Sequence, residues 1–129
     1  MAVHAIEPAG GRAAVLVVED EVLIRFDLSD HLRDCGFDVF EAANVDEALE
    51  LLAAFKVDFV VTDVRMPGKM DGIQLAHLLN RDHPEIGVIV VSGHADADQV
   101  PAGVPVIAKP FNMRDLIDLV GLRLQTKHF

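Results

Sequence analysis

From residue 13 onward, short runs of β-branched and aliphatic residues alternate with longer stretches whose apolar positions recur every three or four residues. The short runs read as strands and the longer stretches as amphipathic helices; their alternation is the pattern of an α/β fold on a parallel sheet. Five strands are expected: Ala14–Val18, Phe37–Phe40, Phe59–Thr62, Val88–Val91 and Val104–Ala108. The first, third and fourth are almost wholly apolar, as strands covered on both faces must be, whereas the second alternates and holds Asp38, which suits a sheet edge.

Between the strands, Ile24, Leu28, Leu32 and Cys35 lie at helical spacing, with Cys35 as a small packing residue on that stripe and Gly36 as the stop. A second helix opens at Asn44, with Glu47 completing an approximate capping box, and turns Val45, Ala48, Leu49 and Leu52 to the sheet. A third runs from Gly72 to Arg81 and is stopped by Pro84. The last begins at Asn112 and carries Met113, Leu116, Ile117, Val120 and Leu124 on one face. Between strands four and five, residues 92–103 hold few large apolar groups together with Gly93, Pro101 and Gly103. At most one short helix fits there, and a mobile loop is expected around 95–103.

The chain of 129 residues has the length of one domain, expected over 13–125, with a leader at 1–12 and a tail at 126–129. Its net charge of −10 disfavours a sequence-independent grip on nucleic acid phosphates or on an anionic membrane. The apolar runs, such as Ile86–Val91, fall short of the roughly 18 residues that span a bilayer. Cys35 is the one cysteine, which excludes an intrachain disulfide and points to a reducing, cytoplasmic setting.

In an open parallel sheet the binding crevice lies at the carboxyl ends of the strands. Strand one ends in Glu19-Asp20, strand three in Asp63, strand four in Ser92 and strand five in Lys109-Pro110. The right-handed crossover rule gathers these three carboxylates, a hydroxyl and an ammonium at one edge. Carboxylates so placed repel one another unless a cation sits among them, and oxygen ligands favour magnesium. The set suits Asp63 as a nucleophile toward phosphorus, with the metal, Lys109 and Ser92 holding the phosphoryl oxygens.

Five short motifs at these strand ends resemble the receiver domain of two-component response regulators across residues 13–125: Val17-Val18-Glu19-Asp20, Thr62-Asp63-Val64-Arg65-Met66-Pro67, Met70-Asp71-Gly72, Val91-Ser92-Gly93 and Lys109-Pro110-Phe111. The resemblance implies a doubly wound five-stranded parallel sheet of flavodoxin-like order 2-1-3-4-5, here with a shortened or irregular helix between strands four and five. It implies Asp63 as phospho-acceptor, Asp20 as a direct magnesium ligand and Glu19 as an acidic partner acting through water. The Arg65 backbone carbonyl becomes a further ligand, and Ser92 and Lys109 become the hydroxyl and cation that engage the phosphoryl group. A cis peptide between Lys109 and Pro110 follows from the same likeness. His94 and Arg65 occupy the positions that tune access to the phosphoryl group in such domains.

The chain departs from the family in three places. Val106 stands where an aromatic residue is common, Gly68-Lys69 lengthens the loop after Pro67 by one residue, and the 92–109 interval is short. The expectation is a stand-alone receiver that catalyses only its own phosphorylation and dephosphorylation. It would take its phosphoryl group from a histidine kinase or phosphotransfer protein and signal through protein contacts. A domain excised from a hybrid kinase or longer regulator, homodimerisation through the last helix, and a magnesium-dependent phosphohydrolase acting through Asp63 are the rivals. Against the phosphohydrolase, Arg65 stands where such enzymes often place a second aspartate.

Overall fold

β-branched side chains fill the strands of a parallel sheet whose two faces are both covered. The structure is a computed structural model that describes residues 12–93 and 97–127. Residues 1–11 of the expected leader, His94, residues 95–96 of the expected mobile loop, and the last two residues of the expected tail lie outside the described residues. The strands are β1 (Ala14–Val18), β2 (Asp38–Ala42), β3 (Phe59–Asp63), β4 (Gly87–Ser92) and β5 (Val106–Ala108), in the order β2-β1-β3-β4-β5. The helices are α1 (Val22–Asp34), α2 (Val45–Ala54), α3 (Gly72–Asp82) and α4 (Met113–Lys127). The doubly wound fold and its strand order thus agree with the sequence reading.

Period-two alternation divides the core in two. Leu16, Val18, Val60, Val88 and Val90 face α2 and α3, where Val45, Ala48, Leu75, Ala76 and Leu79 cover them. Val15, Val17, Phe59, Val61, Ile89 and Val91 face α1 and α4, where Leu28, Leu32, Leu116, Val120 and Leu124 do the same. Register then fixes the functional edge. Val18 pairs with Thr62, Asp63 with Val91, and Ser92 with Ala108, so the residues that follow β1 and β5 emerge beside Asp63 and Ser92.

Local chemistry sets the helix ends. Asn44 Oδ1 accepts the Glu47 amide at 2.8 Å, while the Glu47 carboxylate accepts the Ala43 amide, one residue upstream of a full capping box. Asp71 and Gln74 form the complete box at the start of α3.

Three expectations change. Cys35 is exposed: α1 ends at Asp34, and the turn through Gly36 at φ 95° sends Phe37, not Cys35, back onto the core. β2 begins at Asp38 and runs to Ala42, because it pairs residue for residue with the whole of β1. β5 is confined to three residues, preceded by Pro105, whose carbonyl accepts the Val90 amide but which has no N–H of its own to donate.

Among the described residues between β4 and β5 there is one 3₁₀ turn, Ala97–Gln99. The described part of this segment is more firmly anchored than its composition suggests. Val100 and Val104 pack on the α2/α3-side core, Pro101 is buried, and His77 of α3 hydrogen-bonds the Gln99 carbonyl at 2.7 Å.

Candidate functional site

Each functional side chain stands where a strand stops and the backbone leaves the ladder. β1 ends at Val18, and the Glu19 amide still donates to Ala42 O at 2.9 Å before the chain turns into α1. The Glu19 side chain is buried beneath the turn, with Oε2 accepting the Glu21 amide at 3.2 Å, whereas Asp20 is exposed. Asp63 closes β3, and its Oδ1 accepts the Val64 amide at 2.8 Å, which fixes the plane of the carboxylate.

Lys109 follows β5, its amide held by Ser92 O at 2.8 Å, and the Lys109-Pro110 peptide is cis as the resemblance implied. Its ammonium reaches across the edge to Asp63 Oδ2 at 3.1 Å and Glu19 Oε1 at 3.3 Å. Ser92 is buried at the end of β4.

The predicted residues therefore converge. Asp20, Asp63, Arg65, Ser92 and Lys109 line an open cleft of about 290 Å³ at the carboxyl edge of the sheet. Arg65 is exposed on its rim. Val106 is half-buried and packs on the α2/α3-side core.

Carboxylate ligand atoms of Glu19, Asp20 and Asp63 lie within 4.8 Å of one another. Burial pushes the Glu19 carboxyl up to about 7; the negative charge of Asp63 and the hydrogen bond with Asp20 act the same way, against the lowering by the Glu21 amide and Lys109. For Lys109, burial opposes the charge, but the hydrogen bond to Asp63 and the charges of Asp63 and Glu19 outweigh it and raise its pKa. The donor set is all oxygen, strongly negative and open to water on the Asp20 side, which fits a hard divalent cation such as magnesium.

Two supports of the site were not legible in the sequence. Gly72 lies so close to Asp63 that a β-carbon there would overlap the Asp63 carbonyl oxygen. Its only signal was its place in the Met70-Asp71-Gly72 motif. Arg25 of α1 donates from Nη1 to Glu19 O at 2.9 Å and lies with Nε 3.4 Å from Glu41 Oε1. Its signal, a cation five residues past Asp20, is too common in helices to stand out.

Residues 15–121 match the family model described as the response regulator receiver domain. Among curated proteins, the chain is 41% identical over 122 residues to the sensor kinase CckA of Brucella abortus, covering 89% of this chain and 13% of that protein. The first curated relatives are longer proteins, of which this chain covers 13 to 55%. Among solved structures, a response regulator receiver protein from Sinorhizobium medicae is 29% identical with a TM-score of 0.83, over 90% of this chain and 97% of that one. The response regulator TrrA of Thermotoga maritima, solved in complex with Mg²⁺-BeF, is 25% identical with a TM-score of 0.74, over 87% and 98%.

Proposed function

Because the chain belongs to the response regulator receiver domain family of two-component signalling, we propose that Asp63 accepts a phosphoryl group in a magnesium-dependent reaction. The observation that carries this reading is the Lys109 ammonium at 3.1 Å from Asp63 Oδ2 in a cleft that Asp20 also lines, with a carboxylate oxygen of Glu19 within 4.8 Å of those of Asp20 and Asp63. A nucleophilic carboxylate needs a partner that follows its charge once it is esterified, and Lys109 is placed for that.

The Asp63 carboxylate forms an O–P bond as the P–N bond of a phosphohistidine donor breaks, and the electron pair of that bond stays on the imidazole nitrogen. Lys109 and the Ser92 hydroxyl then donate to oxygens of the new phosphoryl group, which carries a charge of about −2 and three strong acceptors. Attack by water on phosphorus returns the carboxylate and releases phosphate. Asp20, Asp63 and the Arg65 carbonyl would hold a magnesium ion directly and Glu19 through water; bound there, the ion would offset the negative charge gathering at phosphorus. The domain thus catalyses its own modification and turns over no outside substrate.

The donor is a histidine kinase or phosphotransfer protein, and the output passes to a downstream protein in the cytoplasm.

The decisive test of acceptance adds magnesium with acetyl phosphate, or with beryllofluoride, to wild type and Asp63→Asn. A magnesium-dependent adduct in wild type and none in Asp63→Asn supports the proposal. Absence of the adduct in wild type overturns it, and steady release of phosphate from an outside ester would indicate a phosphohydrolase instead.

A further inference from the structure

Asp20 is exposed, and its side chain gets little help from packing. Apart from its hydrogen bond with the Glu19 side chain, the direction in which it presents its carboxylate rests on the backbone beneath it, above all on the peptide joining Glu19 to Asp20. The nitrogen side of Glu19 is tied to β2 through Ala42 O. Its carbonyl oxygen, which belongs to the Glu19–Asp20 peptide, is held from the other direction by Arg25 Nη1 at 2.9 Å. Arg25 is seated in turn, with its side chain 15% exposed and Nε 3.4 Å from Glu41 Oε1, an ion pair rather than a hydrogen bond. Glu41 pairs with Val17 across the ladder, and its second oxygen is held by Arg33 Nη2 at 3.0 Å.

From this geometry we infer that Arg25, seated on Glu41, is a positioning residue that sets the Glu19–Asp20 peptide for cation binding. The inference rests on the phosphoryl-acceptor reading for its purpose, but the brace itself stands on the contacts alone. The guanidinium suits the task because one rigid plane reaches a carbonyl and a carboxylate at once, whereas a lysine offers a single point charge. Glu41 adds a second service. It offsets a positive charge that would otherwise stand near the acidic cluster and oppose the cation.

Electrostatics and positioning make opposite forecasts, which makes the inference testable. Removing the Arg25 charge should tighten magnesium binding if charge is all that matters, and weaken it if the brace matters. Magnesium affinity is measured by calorimetric titration of wild type, Arg25→Gln, Arg25→Lys, Glu41→Gln and the double variant Arg25→Gln/Glu41→Gln. Amide exchange at Glu19 and Glu21 is followed without added metal. The brace gives about tenfold weaker binding in Arg25→Gln, incomplete recovery in Arg25→Lys, and a double variant no worse than Arg25→Gln alone. Exchange at the two amides rises several-fold in Arg25→Gln.

Unchanged or tighter binding in Arg25→Gln, or unchanged exchange, overturns the inference even if the melting temperature falls. A wild type that binds no magnesium overturns the functional reading instead, and the exchange measurement still decides the brace.

Discussion

Gly72, the first residue of α3, lies backbone to backbone against Asp63, the last residue of β3, with no room for a side chain between them. The Gly72 amide donates to Val64 O at 2.9 Å, and Thr62 Oγ1 donates to Asp63 O at 2.9 Å, so the helix start and the strand end are one tied unit. The place of Asp63 at the sheet edge is thereby set by a contact nine positions further along the chain.

Gly72→Ala forces that unit apart, since the two nearest atoms in the way belong to the Asp63 backbone and cannot swing aside. Chemical denaturation is expected to show a loss of about 1–3 kcal/mol, the usual cost of overpacking. Beryllofluoride binding weakens as well, because Asp63 moves with its carbonyl.

Lys109→Met leaves the carboxylates of Glu19 and Asp63 facing each other without their shared ammonium. Stability without magnesium falls by about 1–3 kcal/mol, the range for a partly buried polar group deprived of its partner. Thermal melts should show magnesium raising the melting temperature more in this variant than in wild type, since a divalent cation takes over the neutralising role. Equal increments in the two proteins would contradict the pairing.

Asp71→Ala removes the side chain that caps α3 and opens its reciprocal box with Gln74. Urea denaturation is expected to report a loss of about 1 kcal/mol with no change in the slope.

Leu79 and Leu116 are both fully buried, on opposite faces of the sheet. Alanine at either is expected to cost about 2–5 kcal/mol, and the losses should add to within about 0.5 kcal/mol in the double variant because the residues sit in separate clusters. Leu23→Ala, at an 82% exposed position, should shift stability by less than about 0.5 kcal/mol in either direction. Denaturation midpoints check all three.

The strands and helices were legible because burial on two faces demands unbroken apolar runs in β1, β3 and β4, and burial on one side demands a 3.6-residue stripe in the helices. Cys35 was misplaced because a stripe shows spacing but not the point at which the helix stops, and the backbone turn at Gly36 carries the residue outward. The few apolar groups around 95–103 predict a mobile loop. What composition could not show is that Val100 and Val104 pack on the α2/α3-side core, that Pro101 is buried, and that His77 reaches Gln99 from 22 positions away.

By itself the sequence determined the fold class and the residues at the reactive edge, because period-two and period-3.6 patterns, together with acidic, hydroxyl and cationic residues at strand ends, are local properties. Only the tertiary structure decided how those residues meet. The ammonium of Lys109 spans Asp63 and Glu19, 46 and 90 positions away, and Arg25 touches both the Glu19 carbonyl and Glu41 of β2. Such contacts depend on sheet register and on the angle at which a helix leaves its strand, and neither is written in the spacing of residues along the chain.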